Sequence, residues 1–276
     1  MQDNEDVYSK NVALNIDREN LKVVDGVLIK YRDHERGSLR IPKGVTELAN
    51  SSIDTPFITT MHLPASVKII RKNWVYLAFS LTTLYIENPE VYLEAGCFER
   101  SQELKKIYIG GQKIDAVVTQ DDEAVYLEKY VGNDKSYKID NDINIIRANA
   151  FRDCKSIESI EFSQSVKDIG MWAFKGCTSL KEVKLSDSIN MLCCAFDGCI
   201  SLEKIDLPDS IFSILSSFEG CRSIKELTVP LSVNHIGRGA FKGWRHNQTI
   251  RVPQKFKELR ILQKWRKGCR AKIIYY

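Results

Sequence analysis

Residues 166–185 read V-K-D-I-G-M-W-A-F-K-G-C-T-S-L-K-E-V-K-L, and this stretch decides the fold because its pattern recurs along the chain. Seven of its apolar positions recur in the other copies: Val166, Ile169, Phe174, Cys177, Leu180, Val183 and Leu185. The neighbouring copies fill the same positions, and their cysteines at 154, 177, 199 and 221 are separated by 23, 22 and 22 residues. Self-similarity at a fixed period in this range is the signature of a solenoid.

The spacing of the apolar residues predicts how each copy folds. The tail L-x-x-V-x-L alternates with period two, which favours a short strand with one face inward. Successive copies then stack these strands roughly 4.8 Å apart in a parallel sheet. One copy cannot bury its apolar residues alone, so each equivalent position becomes a column through the core. The segment A-F-x-G-C crosses the back, and we expect a short helical or 3₁₀ turn that ends at Gly176, Gly198 or Gly220.

Three motifs resemble the BspA-type leucine-rich repeats of bacteria and some protozoa. They are A-F-K-G-C-T-S-L-K-E-V-K-L at 173–185, L-P-D-S-I at 207–211 and S-V-N-H-I-G-R-G-A-F-K-G at 232–243. The resemblance covers roughly residues 41–253. It implies a leucine-rich-repeat solenoid, a right-handed β/α superhelix with a parallel sheet on its concave face. It also implies protein binding, often at a cell surface, and no enzymatic activity.

The pattern predicts one continuous solenoid domain of about eight repeats, capped at both ends. Residues 1–40 are a lead-in and a hairpin cap around Asp25-Gly26, and residues 41–253 are the repeats. Residues 110–138 break the period, and we expect a hairpin-like excursion with an acidic tip. Residues 254–276 carry apolar residues at helical spacing and are predicted to form a helical cap over the last repeat, followed by a short strand.

Several repeats depart from the consensus. In the N-terminal half, Val75 takes the phenylalanine position, and Ala78 and Ser101 take cysteine positions. In the last repeat, Trp244 stands where cysteine is expected and Asn247 where leucine is expected. We therefore expect the N-terminal repeats to be less stable.

The N-terminus and the cysteines indicate a compartment. Residues 1–10 are polar and acidic, without the apolar stretch of a signal peptide, which favours a cytoplasmic protein. The alternative is a secreted or cell-surface protein from which a signal peptide has been removed. No apolar run reaches the roughly 18 residues of a membrane helix, so no membrane insertion is expected. The column cysteines, read either as a disulfide ladder or metal site or as buried thiols, are expected to be buried and reduced.

The sequence offers no catalytic constellation. The histidines His34, His62, His235 and His246 fall in different repeats or caps, and none of the familiar nucleotide, hydrolase or zinc motifs is present. We therefore expect no enzyme, no cofactor and no metal site.

The concave sheet is the predicted binding surface. Its outward central column reads Arg40, His62, Tyr85, Tyr108, Lys138, Glu161, Lys184, Asp206, Thr228 and Arg251. Tyrosine is enriched at interface hot spots, although residues on a wet sheet also pack simply against each other. The residues predicted to contact a partner are His62, Tyr85, Lys106, Tyr108, Glu161, Glu182, Lys184, Lys204 and Asp206.

A second candidate surface lies at the C-terminal end. Residues 245–276 hold ten lysines and arginines and one acid, a charge of +9, while the whole chain is +4. The basic residues in question are Lys255, Lys257, Arg260, Lys264, Arg266, Lys267 and Arg270, with Trp265, Tyr275 and Tyr276 available for stacking. They form either a surface for phosphate or an acidic partner, or simply the solvated face of a capping helix whose aromatics belong to the core.

Together these features predict a monomeric, non-enzymatic scaffold that binds a protein through its concave face. Two alternatives stay open. One is an inhibitor or regulator of a nucleic-acid-handling complex, which would use the basic end and bind nucleic acid or a nucleoprotein. The other is an adhesion protein of a bacterial surface.

Overall fold

A computed structural model of the chain describes Leu14 and residues 16–32, 36–76, 78–258 and 264–276. The chain divides into two compact units, Met1–Ile114 and Asp115–Tyr276. Both units consist of short strands in stacked parallel ladders, so the predicted solenoid of stacked strands is confirmed at this level. One continuous domain with caps at both ends stays a prediction.

The first unit contains two sheets. Its strands are β1 (Ile16–Arg18), β2 (Leu21–Val24), β3 (Val27–Arg32), β4 (Gly37–Arg40), β5 (Glu47–Leu48), β6 (Ile53–Asp54), β7 (Ile58–Leu63), β8 (Ile69–Ile70), β9 (Thr83–Ile86), β10 (Tyr92–Leu93), β11 (Lys106–Ile109) and β12 (Gln112–Ile114). One sheet has the order β1-β2-β3-β5-β8-β10, with β6 also beside β3, and the other has the order β12-β11-β9-β7-β4. The predicted hairpin is present, because β2 and β3 pair antiparallel on either side of Asp25 and Gly26. Both turn residues have left-handed backbones, with φ of 49° and 79°, as a tight hairpin turn requires.

The second unit repeats the same plan. Its elements are β13 (Ala116–Gln120), β14 (Val125–Tyr130), β15 (Ser136–Lys138), β16 (Ile145–Ile146), β17 (Ser159–Glu161), β18 (Asp168–Ile169), β19 (Glu182–Lys184), β20 (Met191–Cys193), β21 (Lys204–Asp206), β22 (Ser213–Leu215), β23 (Glu226–Thr228), β24 (His235–Ile236), β25 (Thr249–Val252), α1 (Lys255–Glu258) and β26 (Lys272–Tyr275). The sheets run β13-β14-β16-β18, β15-β17-β19-β21, β20-β22-β24 and β23-β25-β26. Strands of successive repeats pair in parallel, with equivalent residues opposite each other, as at Val183 and Ile205.

The helical back expected from the β/α superhelix is not confirmed. Among the described repeat residues, the back carries a second ladder of two- or three-residue strands, such as β16 and β18. The A-F-x-G-C segments form hydrogen-bonded turns, in which the Cys177 amide donates to the Phe174 carbonyl at 3.2 Å. Gly176 ends its turn with a left-handed backbone of φ 73°. The chain crosses the back in too few residues to complete a helix.

The phenylalanines of the second unit stack in single file, as predicted. Successive rings are nearly parallel, with centroid distances of 4.8 Å for Phe151 and Phe174, 5.4 Å for Phe174 and Phe196, 6.0 Å for Phe196 and Phe218, and 6.0 Å for Phe218 and Phe241. All five side chains are fully buried. The column extends at its N-terminal end to Tyr130, whose ring lies 5.0 Å from that of Phe151.

The cysteine column lies beside the phenylalanines, and all eight cysteines are free thiols. Three column thiols donate to the phenylalanine carbonyl of the preceding repeat: Cys177 to Phe151 (3.0 Å), Cys199 to Phe174 (3.1 Å) and Cys221 to Phe196 (3.2 Å). Trp244 continues this ladder, because its indole Nε1 donates to the Phe218 carbonyl at 2.8 Å. Burial raises the pKa of the Cys154 thiol to about 12 and also raises that of Cys221, so these thiols are inert donors.

The insertion forms the predicted hairpin, because β13 and β14 pair antiparallel. Its description as an excursion needs correction. Strand β14 also pairs in parallel with β16, and its residues from Tyr126 onward are buried, so it is part of the repeat core. The exposed part is the acidic tip, where the Asp121 carboxylate accepts hydrogen bonds from the amides of Glu123 (2.9 Å) and Ala124 (3.1 Å).

The last repeat is covered at its C-terminal end. Helix α1 is followed, after residues 259–263, by a 3₁₀ turn at 264–266, and Leu259 and Leu262 of the predicted helix lie outside the described residues. Trp265 is buried edge-on against Phe241 with 5.9 Å between ring centroids. The short strand predicted to follow is β26, which pairs in parallel with β25.

In the last repeat, the sequence places Asn247 at the leucine position, but another residue fills it in the structure. Asn247 is exposed, and the next residue, Gln248, is fully buried instead. Its Nε2 donates to the carbonyls of Cys221 (2.9 Å) and Ile224 (2.7 Å). A polar side chain is therefore accommodated here because both of its amide hydrogens find acceptors.

Ser101 occupies a cysteine position of the repeat in the first unit, and substitutions there test whether that position points into the core. Its side chain is fully buried, and its Oγ has no hydrogen-bond partner. A buried hydroxyl without a partner costs about 1–3 kcal/mol, so Ser101→Ala and Ser101→Cys should each stabilise the first unit by roughly 1 kcal/mol. Hydrogen exchange of peptides from that unit measures the change, with exposed Ser38→Ala as the control. A loss of stability in both variants would contradict the conclusion that Ser101 Oγ is buried without a hydrogen-bond partner.

Candidate protein-binding surface

The first unit carries an ordered aromatic stack on its sheet, which we call the aromatic strip and define as His62, Tyr85 and Tyr108. These residues occupy equivalent positions on β7, β9 and β11. The His62 and Tyr85 rings lie 4.6 Å apart and 7° from parallel, and the Tyr85 and Tyr108 rings lie 4.7 Å apart and 12° from parallel. These spacings match the roughly 4.8 Å between strands, so the backbone itself sets the stack.

Cationic residues flank the aromatic strip. Arg40 lies in register before His62, and Lys113 lies opposite Tyr108 on the antiparallel strand β12. Lys106, another predicted site residue, is exposed and lies in register with Thr83 in the neighbouring column. The three rings are half-buried, which leaves their edges accessible while their faces cover each other.

The environment of His62 favours the neutral form of its imidazole. Burial in the stack is the main cause that lowers its pKa, and the positive charge of Arg40 lowers it further, against a smaller raising effect of Glu87. A neutral ring stacks on Tyr85 without carrying a desolvated charge.

This shift predicts a pH dependence for the strip. The folded protein binds the His62 proton less readily than the unfolded chain, so protonation of His62 should cost stability as the pH falls below about 6.5. An NMR titration of the imidazole resonances, with His62→Gln for assignment, should give a midpoint below that value. Arg40→Gln should move the midpoint part of the way back. A midpoint at or above 6.5 in the wild type would show that the ring is not desolvated.

The second unit presents alternating charges rather than aromatics. One outward column runs Ser136, Ser159, Glu182 and Lys204, and its neighbour runs Lys138, Glu161, Lys184 and Asp206. Ion pairs join successive repeats, with 2.9 Å from Lys204 Nζ to Glu182 Oε1 and 3.7 Å from Lys138 Nζ to Glu161 Oε1. The hydrogen bond from Lys204 lowers the pKa of Glu182. Lys184 and Asp206 lie in register but form no ion pair with any described residue.

A groove at the end of this face was not anticipated from the sequence. It is lined by Asp206, Asp209, Glu226, Leu231 and Tyr276 among others, and Leu231 is 67% exposed. Its walls come from β21 and β23 and from the turns that follow them. Pro230-Leu231 was the available signal, because a leucine beside a turn proline has no place in the inward columns.

A second unanticipated feature is a group of exposed aromatics in the first unit. Phe57, Tyr76 and Phe79 are 44%, 47% and 66% exposed. Arg36 lies over the Phe57 ring and Arg100 over the Tyr76 ring, at 5.5 and 5.2 Å from the centroids. These residues fall between the buried columns of the repeat. The only sign of them in the sequence is that large aromatic residues stand at positions outside the recurring apolar pattern.

The described histidines are divided between the two units: His62 belongs to the first, and His235 and His246 belong to the second. His34 is outside the described residues. In the described ranges, no group of three or more histidines, cysteines, aspartates or glutamates is placed to hold a metal ion. Within the same ranges, no helix has the length and apolarity to cross a bilayer.

The basic C-terminal residues lie on exposed positions. Lys257, Lys264, Arg266, Lys267 and Arg270 are exposed, Lys255 is half-buried, and Arg260 lies outside the described residues. Of the two interpretations of this segment, Trp265 fits the cap with core aromatics, because its ring is buried and is therefore not available for stacking. Tyr276 is 44% exposed, and Tyr275 is half-buried, with Lys257 Nζ 5.9 Å from its ring centroid.

Three solved structures similar to this chain are leucine-rich-repeat proteins or antigens of bacteria. A leucine-rich cell surface protein of Faecalibacterium prausnitzii A2-165 has a TM-score of 0.59 and 25% identity, over 87% of this chain and 59% of its own. The T. pallidum leucine-rich repeat protein has a TM-score of 0.47 and 23% identity, over 58% and 79%. The pneumococcal vaccine antigen PcpA has a TM-score of 0.45 and 15% identity, over 96% and 100%. This chain therefore spans about three fifths of the F. prausnitzii protein's length.

The sequence pattern of one family matches most of the chain, whereas no curated protein matches it. The family is the BspA type leucine rich repeat region, found in six copies over residues 32–119 and 144–262. These ranges contain the aromatic strip, the stacked phenylalanines and the charged columns from Ser159 and Glu161 onward. The chain belongs to the BspA-type leucine-rich-repeat family.

Proposed function

We propose that this protein is a non-enzymatic scaffold that binds a protein partner through the outward face of its parallel sheets. The observation that carries the proposal is the aromatic strip, in which Tyr85 and Tyr108 are held in register and half-exposed. Tyrosine supplies a large contact area with few rotatable bonds, so a strand-fixed tyrosine loses little entropy on binding. Tyr85 and Tyr108 would therefore be the anchors of the interface.

The charged face of the second unit would contribute specificity more than affinity. Most of its charges already have partners in the adjacent repeat, and exposed pairs of this kind contribute about 0–1 kcal/mol each. Lys184 and Asp206 form no such pair with described residues and would contact a partner directly. A partner must match this alternation, since like charges placed opposite each other disfavour the wrong protein. The residues of the second unit that would act in this way are Glu161, Glu182, Lys184, Lys204 and Asp206. In the first unit, Lys106 would do the same beside the aromatic strip.

We place this activity at the cell surface rather than in the cytoplasm. The similar F. prausnitzii structure is that of a cell surface protein, and this similarity favours the surface alternative. The column thiols fit either location, because burial and a raised pKa protect them from oxidation.

The test compares the anchors with a matched exposed tyrosine. Tyr92 is 51% exposed and lies outside the aromatic strip, so Tyr92→Ala removes the same side chain from another surface. Affinity capture with quantitative mass spectrometry should recover a partner with the wild type and with Tyr92→Ala, but not with Tyr85→Ala/Tyr108→Ala. If the double variant is folded by circular dichroism and captures the same proteins, the aromatic strip is not the binding surface.

A further inference from the structure

Several cations on the repeats of the second unit are paired with acids one repeat away: Lys135 and Lys181 with Glu158 at 3.2 and 2.7 Å, and Lys175 with Asp197 at 2.8 Å. Others on the repeats, such as Lys167 and Lys184, are exposed and form no ion pair with described residues, but they stand singly among acids. Near the C-terminus, unpaired cations are concentrated. Among the described residues of 245–276, seven exposed cations form no ion pair: Lys257, whose Nζ lies 5.9 Å from the Tyr275 ring centroid, and the six residues Arg245, Lys264, Arg266, Lys267, Arg270 and Lys272.

These six residues lie on adjacent coils of the chain, although up to 27 positions separate them in sequence. Backbone hydrogen bonds join the two coils: the Gly243 amide donates to Gly268, the Arg270 amide to Trp244 and the Lys272 amide to Gln248, each at 2.9 Å. This pairing brings the segment of Arg245 beside that of Arg270 and Lys272. The 3₁₀ turn at 264–266 leads directly into the second coil and carries Lys264, Arg266 and Lys267 with it.

The acids that could neutralise this surface are few. Glu258 is the single acid in residues 245–276. Glu219 and Glu226 lie in the preceding repeat, but they are already occupied by Lys242 and Arg251. The surface therefore presents a concentration of positive charge that attracts a polyanion and releases its counterions on binding.

The side chains favour phosphates of a nucleic acid over a lipid surface. Three of the six cations are arginines, whose planar guanidinium groups bind phosphate oxygens in a bidentate way. Membrane-bound surfaces also insert apolar side chains. Within 242–257 and 264–276, Tyr276 is the one large apolar side chain that is well exposed, and its hydroxyl donates to the Val229 carbonyl at 2.6 Å.

We propose that Arg245, Lys264, Arg266, Lys267, Arg270 and Lys272 form a binding surface for the phosphate backbone of nucleic acid. Binding through phosphates alone carries no base readout, so the sequence of the nucleic acid has little influence on affinity. The residues of this surface belong to the second unit and those of the aromatic strip to the first, and its partner is of another chemical class. If four to six phosphates are contacted on duplex DNA, the slope of log K against log salt is about −3.6 to −5.4.

The experiment measures fluorescence anisotropy of labelled short duplexes of two unrelated sequences at about 50 and 200 mM salt. The variant Arg245→Gln/Arg266→Gln/Arg270→Gln removes three charges from the surface. The matched control Lys135→Gln/Lys175→Gln/Lys181→Gln removes three paired charges from the same unit. The proposal predicts similar affinity for both duplexes, a steep loss with salt, at least about tenfold weaker binding by the arginine variant and a much smaller change in the control.

Three results would overturn the proposal. One is no binding to either duplex at the lower salt concentration. Another is an equal loss in both variants, which would mean that net charge acts without a defined surface. The third is binding to phosphatidylserine vesicles without binding to DNA. Thermal melts by circular dichroism establish that each variant is folded, and single substitutions of the three arginines replace the triple variant if it is not.

Discussion

Phe196→Ala is expected to destabilise the second unit by about 3–5 kcal/mol, the usual cost of removing a fully buried phenylalanine. Its ring is packed between those of Phe174 and Phe218, at 5.4 and 6.0 Å between centroids. A neighbour cannot fill the space, because each ring is held by its own repeat. The substitution therefore removes two stacking contacts and leaves a cavity in the middle of the column.

The matched control for this prediction is Phe212→Ala. Phe212 lies in the following repeat but is 48% exposed, so its loss should change the free energy of unfolding by only about 0.5 kcal/mol. Urea denaturation followed by circular dichroism gives both values. Equal effects of the two substitutions would mean that the phenylalanine column is not the core of the unit.

Trp265→Ala is expected to cost a similar 3–5 kcal/mol, and its effect should concentrate in the last repeat. Trp265 covers the end of the phenylalanine column by its edge-on contact with Phe241. Without it, Phe241 would face solvent, and an uncovered terminal repeat frays because its neighbour is missing on one side. Hydrogen exchange should accelerate most in β23 and β25.

Trp265→Phe separates the covering role from the loss of volume. This variant keeps an aromatic ring at the position and should retain more than half of the lost stability. Exchange that rises evenly throughout the second unit in the alanine variant would contradict a local capping role, because it would place Trp265 in the common core.

The spacing of apolar residues was sufficient to predict the parallel ladder and its register. Residues such as Val183 and Ile205 repeat at a fixed interval, and only one alignment of successive repeats buries all of them. The same alignment predicted the stacking of His62, Tyr85 and Tyr108, because outward positions inherit the register of inward ones. The role of these residues in binding stays a prediction.

The turns and the insertion were harder to predict, because they depend on pairing that the repeat pattern does not encode. A short apolar segment on the back fits a helical turn or a two-residue strand equally well. In the insertion, Glu128 is buried on β14, where its carboxylate accepts a hydrogen bond from Thr119 at 2.8 Å and lies 3.4 Å from Arg147. A glutamate in a strand gives no sign of burial when its cationic partner lies in another element.

The exposed groups that sequence reasoning missed share one property. Phe57, Phe79 and Leu231 are large apolar residues outside the repeating columns, and their exposure depends on the path of individual turns. Periodicity identifies what is inside a solenoid. It gives much less information about which irregular residues remain outside.

The central claim is that equivalent residues of successive repeats lie directly beside each other, and paired cysteines test it most directly. Ser136 and Ser159 lie in register, with 2.9 Å between their Oγ atoms, so Ser136→Cys/Ser159→Cys should form a disulfide under mild oxidation. Ser136→Cys/Glu182→Cys spans two repeats, roughly 9.6 Å, and should not. Peptide mapping by mass spectrometry identifies the linked residues. A disulfide in the second pair but not in the first would contradict the stacked register and everything inferred from it.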